Sequence, residues 1–116
     1  MTTVQDLITA AKADLNCLDA SEAAKKAQQE GVLLVDLREP AEHEAAAVPG
    51  ALHIPRGVLE FKIGEACENK SGEILLHCGG GGRASLAAQS LKSLGYENVS
   101  IVNAKFEDFL EAFNQG

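Results

Sequence analysis

The sequence predicts an α/β fold in which helices flank a central, mainly parallel sheet of five strands. Two segments, 32–37 (VLLVDL) and 73–77 (EILLH), are continuous apolar runs, which are typical of strands buried on both faces of a parallel sheet. Segments with apolar residues at helical spacing alternate with such runs. The length of 116 residues and the hydrophobic content of 46% fit a single domain over residues 1–116, with an extra helix at its start, 1–16.

Five helices are predicted from the helical spacing of apolar side chains and from residues that can cap a helix. Thr2 with Gln5 is expected to form a capping box at the start of the first helix, and Asp19 or Ser21 is expected to cap the second. The five helices are predicted over residues 3–15, 20–29, 58–65, 84–94 and 106–113.

Four of the strands are predicted at residues 32–37, 52–54, 73–77 and 99–102, and Cys17-Leu18 is a short apolar pair. Residues 38–50 are polar and then alanine-rich, and we expect a loop there that closes in the Pro49-Gly50 turn. Ligand sites of parallel sheets lie beyond the carboxyl ends of the strands. Cys78, directly after the strand 73–77, is therefore expected at such a site.

The charge balance is acidic and narrows the range of partners. Ten Lys and Arg residues face 17 Asp and Glu residues, which gives a net charge of −7. No basic cluster is longer than Lys25-Lys26, so we expect neither nucleic acid nor a membrane surface as a partner. An anionic substrate would have to be attracted by a local site rather than by the overall field.

The cysteines favour a reducing compartment. Cys17, Cys67 and Cys78 are an odd number and have no paired spacing, and the three histidines are scattered, so neither a disulfide framework nor a zinc site is indicated. The N-terminal segment has no secretory signal, and no apolar stretch approaches the roughly 20 residues of a membrane helix. We therefore expect a cytoplasmic protein with free thiols.

The segment ILLHCGGGGRAS, residues 74–85, carries the strongest functional signal. Four glycines between Cys78 and Arg83 allow several backbone N–H groups to converge on one point, and the following helix adds the positive end of its dipole. A cysteine there is expected to be largely a thiolate at neutral pH. The alternative is an unreactive cysteine in a glycine-rich turn. A nucleotide-binding P-loop is excluded, because no Lys-Ser/Thr pair follows the glycines.

Together with VDLREPAEH (35–43), VPGALHIP (48–55) and GYENV (95–99), this loop resembles the rhodanese superfamily over about residues 19–113. The resemblance implies a rhodanese-like fold and a single-domain thiosulfate sulfurtransferase with no metal or organic cofactor. Cys78 would be the nucleophile that becomes a persulfide. Gly79, Gly80, Gly81 and Gly82 would supply the amides that cradle the persulfide, and Arg83 would close the loop.

Loop length separates this activity from the cysteine phosphatases of similar fold. Those enzymes carry five residues between the cysteine and the arginine, whereas this chain has four. A shorter loop suits a sulfur atom better than a phosphate group. A phosphatase or arsenate reductase activity is the less favoured alternative.

Several other charged or titratable residues are weighed as candidate site residues against a purely structural role. Asp36 and Arg38 are expected to form a structural ion pair, with Arg38 as a possible rim residue. Arg56 is expected on a solvated surface or, alternatively, at the pocket mouth, where it would attract thiosulfate. His77 should point to the face of the sheet opposite Cys78, because successive side chains of a strand alternate.

Two functions are carried forward from these patterns. One is an enzyme that moves sulfane sulfur from thiosulfate or a persulfide to cyanide or a thiol. The other is a sulfur carrier that works only with a sulfur-accepting protein, which the absence of loop side chains favours. The partners expected are small sulfur donors and thiol acceptors, and the protein could be a monomer or a homodimer.

Overall fold

The central sheet has five strands, all parallel, in the order β1-β5-β4-β2-β3. The computed structural model describes residues 2–115. The two long apolar runs form the adjacent strands β2 and β4, and they share five aligned residue pairs. The strands are β1 (Asn16–Leu18), β2 (Val32–Asp36), β3 (Leu52–His53), β4 (Glu73–His77) and β5 (Asn98–Val102).

Helices cover both faces of this sheet, as the predicted α/β fold requires. A short 3₁₀ helix, Arg56–Val58, leads into the fourth helix. The α-helices are α1 (Val4–Ala13), α2 (Ala20–Ala27), α3 (Pro40–Ala45), α4 (Leu59–Ala66), α5 (Gly82–Ser93) and α6 (Phe106–Gln115). None of those helices, within residues 2–115, is long and apolar enough to cross a membrane.

Two apolar clusters, one on each side of the sheet, form the core. The first contains buried residues of α4 and α5 and includes Cys78, and the second contains buried residues of α2 and α6. Successive residues of β4 alternate between them, since Leu76 belongs to the first cluster and Leu75 to the second. Whether a residue at the end of β4 has an odd or an even number therefore decides which apolar cluster its side chain joins.

The local differences from the predicted elements lie at helix ends and in the segment after β2. Thr3 and Asp6, rather than Thr2 and Gln5, form the capping box of α1, so that prediction was wrong by one residue. Asp19 caps α2, one of the two residues expected there. Helix α5 begins two residues earlier than predicted, because first-turn amides need no helical partner and Gly82 and Arg83 join that turn.

Residues 40–45 form α3 where a loop was predicted. Pro40 occupies the first helical turn, where its missing N–H costs nothing, and the Glu42 carboxylate accepts a hydrogen bond from the N–H of Glu39 at 2.9 Å. The helix is too short to show a periodic apolar face, which explains why spacing alone did not predict it.

Candidate active site

Cys78 lies directly after β4, between the neighbouring strands β2 and β5, at the carboxyl edge of the sheet. Its side chain is buried, with 3% of its surface exposed, and packs in the first apolar cluster. The Sγ atom accepts a hydrogen bond from the backbone N–H of Gly81 at 3.1 Å. The sulfur is thus held against the loop that follows it, as the glycine pattern predicts.

The loop is short and is fixed at both ends. Gly81 has φ +100°, a left-handed conformation that favours glycine, and a Cβ there would lie 3.3 Å from Oδ1 of Asn103. The Gly79 carbonyl accepts a hydrogen bond from the N–H of Phe106 at 3.0 Å, and the Gly81 carbonyl accepts one from the Ser85 hydroxyl at 2.6 Å. The loop conformation therefore depends on β5, α5 and α6 together.

The amino end of α5 faces the sulfur without a side chain capping it. Gly81 is the N-cap residue and has no side chain that could accept the first-turn amides. The helix contains 12 residues, long enough for its dipole to place partial positive charge at this end. Amides and dipole together favour a negatively charged sulfur beside them.

Arg83 extends from α5 to α3 and forms a bidentate ion pair with Glu42. The two N–O distances are 2.7 Å and 3.2 Å. The hydrogen bonds from Arg83 lower the pKa of Glu42 to about 2, and the same carboxylate raises the pKa of Arg83. A Cβ at Gly79 would lie 2.8 Å from Nη2 of Arg83, so the guanidinium covers the first residue of the loop.

A second cluster of polar side chains lies beside the loop, around Asp36. Arg38 donates two hydrogen bonds to the Asp36 carboxylate, at 3.1 Å and 2.9 Å, and His43 Nδ1 lies 2.8 Å from it. Burial alone would raise the pKa of Asp36, but the hydrogen bonds from Arg38 and His43 hold it well below its usual range. The guanidinium of Arg38 also lies 3.7 Å from the centre of the Phe106 ring.

His77 points away from Cys78, into the second apolar cluster, as the strand alternation predicts. Its ring lies 5.2 Å from that of Phe109 and 6.0 Å from that of Phe106, between centroids. Within residues 2–115 neither ring nitrogen has a hydrogen-bond partner, although Nε2 is 4.0 Å from a carboxylate oxygen of Asp36. Burial lowers the pKa of His77 to about 4, against the opposing attraction of Asp36.

The structure brings together Cys78, its glycine loop and Arg83, and it places the two rim candidates differently. Arg38 borders a cavity of about 310 Å³ that opens beside Gly79. Arg56 pairs with Glu60 at 3.0 Å, and Glu60 in turn accepts a hydrogen bond from Ser90 in the second half of α5. These contacts connect Arg56 to the second half of α5, whereas the glycine loop lies at the amino end of that helix.

Glu42 is the site residue that sequence reasoning missed. Its segment, REPAEH, was noted only as part of a family resemblance, and no contact between Glu42 and Arg83 could be inferred across 41 positions. Pro40 followed two residues later by Glu42 was the available signal for the start of a short helix. Across residues 2–115, no group of three His, Cys, Asp or Glu side chains is arranged to hold a metal ion.

Comparisons with known proteins agree with this geometry. Residues 19–112 match the family model of the rhodanese-like domain. The putative sulfur carrier protein YrkF of Bacillus subtilis (strain 168) is 39% identical over 70 residues, which are 60% of this chain and 37% of that protein. The chain thus spans little more than a third of YrkF.

Two further proteins resemble the chain over most of its length. A sulfurtransferase of Allochromatium vinosum is 30% identical over 86 residues, covering 73% of this chain and 78% of that protein. The solution structure of the polysulfide-sulfur transferase homodimer from Wolinella succinogenes superimposes with a TM-score of 0.78 at 27% identity, covering 92% of this chain and 81% of that one.

Proposed function

Because the chain belongs to the family of rhodanese-like domains, we propose that it is a sulfurtransferase that carries sulfane sulfur on Cys78. The donor would be thiosulfate or a persulfide, and the acceptor a thiol or, in the test tube, cyanide. Gly79, Gly80, Gly81 and Gly82 supply the amides of the cradle, and Arg83 holds its open side.

The reaction takes two displacements at sulfur. The Cys78 thiolate attacks the outer sulfur of thiosulfate, the sulfur–sulfur bond of the donor breaks, and its electron pair leaves with sulfite. The product on the protein is a persulfide anion. An acceptor thiolate or cyanide then attacks the terminal sulfur, and Cys78 leaves again as the thiolate. No net oxidation occurs, and no general base is needed when Cys78 starts as a thiolate.

The observation that carries this proposal is the hydrogen bond from the N–H of Gly81 to Cys78 Sγ, at the uncapped start of α5. A thiolate and a persulfide both gain from this donor and from the helix dipole. No loop side chain fills the space beyond the sulfur, because residues 79–82 are all glycine. Within residues 79–82, the second sulfur atom of a persulfide would therefore meet backbone and no side chain.

Intact mass spectrometry after incubation with thiosulfate tests the proposal. We expect a gain of one sulfur atom in the native protein, none in Cys78→Ser, and release of that sulfur as thiocyanate when cyanide is added. Cys67→Ser is the matched control and should load like the native protein. A native protein that gains no sulfur from thiosulfate, polysulfide or a small persulfide would contradict the assignment.

A sulfur carrier is the second candidate, since a relative is named a putative sulfur carrier and the loop offers no side chain to select a small substrate. Both candidates require loading of Cys78. Steady-state turnover with thiosulfate and cyanide separates them, because a carrier loads once and then releases its sulfur slowly to small acceptors.

A further inference from the structure

A groove between α3 and α6 leads away from the active loop. Its first part is the cavity of about 310 Å³ beside Gly79, and the second is an adjoining cavity of about 570 Å³ along α6. The two share Ala46, Phe106 and Glu107 as lining residues. We call this the α3–α6 groove.

The floor of the groove is apolar and its rim is acidic. Phe106 and Leu110 supply apolar surface, and Glu107 and Glu111 line the side formed by α6. Both carboxylates are exposed. Within residues 2–115, neither forms an ion pair, and the Glu111 carboxylate accepts a 3.4 Å hydrogen bond from the Gln115 amide.

The cations close to the groove are already neutralised. Arg38 is held by the Asp36 carboxylate, and Arg83 by that of Glu42. Lys105 precedes Phe106 but lines neither cavity. Among residues 2–115, Glu107 and Glu111 have no ion-pair partner, so the groove presents two carboxylates to a molecule that approaches Cys78 along it. This charge disfavours an anionic occupant and favours a cationic one.

From this charge pattern we propose that the α3–α6 groove binds the cysteine-bearing segment of a sulfur-accepting protein, with apolar and basic residues beside its cysteine. The inference rests on the proposed function of Cys78 and names the class of its partner. The acceptor thiol lies at the Gly79 end, an apolar side chain packs on Phe106 and Leu110, and a Lys or Arg reaches Glu107 and Glu111.

The dimensions of α6 set the spacing in that segment. Glu111 lies five positions after Phe106, which is next to the loop, and this distance corresponds to about 8 Å of helix. An extended chain covers about 3.3–3.6 Å per residue. The basic residue of the partner is therefore expected two to four positions from its cysteine.

Two synthetic peptides probe this proposal. Both contain one cysteine followed by a leucine at position +3, and one carries Lys at +2 and +4 where the other carries Glu. The protein is loaded with sulfur by thiosulfate or polysulfide, and the rate of transfer to each peptide is followed by intact mass at low salt. We expect transfer to the Lys peptide to be about tenfold faster than to the Glu peptide.

The decisive quantity is the ratio of the two rates in a pair of variants with equal charge change. In Glu107→Gln/Glu111→Gln the ratio should fall to within about twofold of unity. In Glu30→Gln/Glu97→Gln it should persist, because those exposed residues precede β2 and β5 and lie at the opposite edge of the sheet from Cys78. A ratio near unity in the native protein, or an equal fall in both variants, overturns the groove as the binding site.

A binding measurement keeps the proposal independent of sulfur loading. Serine versions of both peptides are titrated into the unloaded protein, and backbone amide shifts are followed by NMR. The Lys–Ser peptide should perturb Glu107 and Leu110 selectively, and absence of those shifts contradicts the inference. If Cys78 never loads with sulfur but these shifts occur, the proposed function fails while the groove stands.

Discussion

The four glycines after Cys78 occupy four different environments. A Cβ at Gly79 would meet Arg83, one at Gly81 would meet Asn103, and one at Gly82 would lie 3.2 Å from Ile8 Cδ1. A Cβ at Gly80 would meet nothing within 4 Å. The loop thus offers a test site and a control site that are adjacent in sequence.

Gly79→Ala should displace the Arg83 guanidinium, because 2.8 Å is shorter than a carbon–nitrogen contact allows. The displaced atom is at the end of the flexible Arg83 side chain, which can move without disturbing the backbone, so the melting temperature should change little. Withdrawing its charge from Cys78 should slow both sulfur transfer and alkylation of Cys78 by iodoacetamide, by about three- to tenfold. Stopped-flow or mass-based rates measure both.

Gly80→Ala is the control for that substitution, and its rates should stay within about twofold of native. Equal slowing in both alanine variants would mean that backbone freedom of the loop, and not the place of Arg83, governs the reactivity of Cys78.

At the scale of elements, α1 supports the active loop although it precedes the residues that match the family model, 19–112. Ile8 packs against the start of α5, Lys12 donates to Oδ1 of Asn103 at 2.9 Å, and Lys92 donates to the Asp14 carbonyl at 2.8 Å. These contacts join the N-terminal helix to both segments that hold the glycine loop.

Ile8→Ala should therefore affect the site as well as stability. We expect a loss of about 1 kcal/mol in the free energy of unfolding, less than for a fully buried side chain, and about twofold faster alkylation of Cys78. Leu7→Ala is the matched control, since Leu7 is 50% exposed and its loss should leave both quantities nearly unchanged. Urea unfolding and alkylation rates give the comparison, and identical behaviour of the two variants would show that α1 does not brace the loop.

Over the whole molecule, the charge of −7 adds to the acidic rim of the α3–α6 groove. A dianion such as thiosulfate is repelled by both, and salt screens that repulsion. The kcat/KM for thiosulfate should therefore rise several-fold between about 10 mM and 150 mM salt. A fall over the same range would show that local cations dominate the approach of the substrate.

Folding stability should depend on pH through the buried His77. Its pKa is about 4 in the folded protein and near 6.5 in the unfolded chain, so the unfolded chain binds the proton first as the pH falls. Stability is then lost between about pH 6.5 and pH 4, by roughly 2–3 kcal/mol. The pKa values of Asp36 and Glu42 are lowered in the folded protein, so these carboxylates reduce the free energy of unfolding only at more acidic pH, where they become protonated.

Urea midpoints between pH 7 and pH 5 measure this dependence, and His77→Leu should flatten it because the substitution removes the titrating group. A variant that keeps the full slope would place the dependence on other groups. Folding at pH 7 should survive, since the Leu side chain replaces a ring packed on Phe109 and leaves no buried nitrogen without a partner.

Much of the fold and part of the site were predictable from local patterns. The runs at 32–37 and 73–77 predicted β2 and β4, and the alternation along β4 predicted that His77 and Cys78 face opposite sides. The chain of α/β elements with the CGGGGR segment predicted the fold, which the family match and the structural comparison confirm. The roles of the site residues stay predictions until sulfur loading is measured.

Helix α3 and the cap of α1 were not predicted correctly, because the sequence patterns that specify them are only a few residues long. Helix α3 is six residues long, and the capping box of α1 was misplaced by one residue between two adjacent threonines. A capping motif of three or four residues occurs in more than one register, and only the packed helix selects among them.

The amino-acid sequence by itself determined which segments become buried strands and helices, because periodicity and turn residues act over a few neighbours. The sequence also determined that Cys78 follows a central strand and precedes a run of four glycines. Only the tertiary structure decided that Arg83 pairs with Glu42 and that an acidic groove begins at Gly79. Both features bring together segments that are far apart in the chain, and the packing of those segments, not local sequence, determines which side chains meet there.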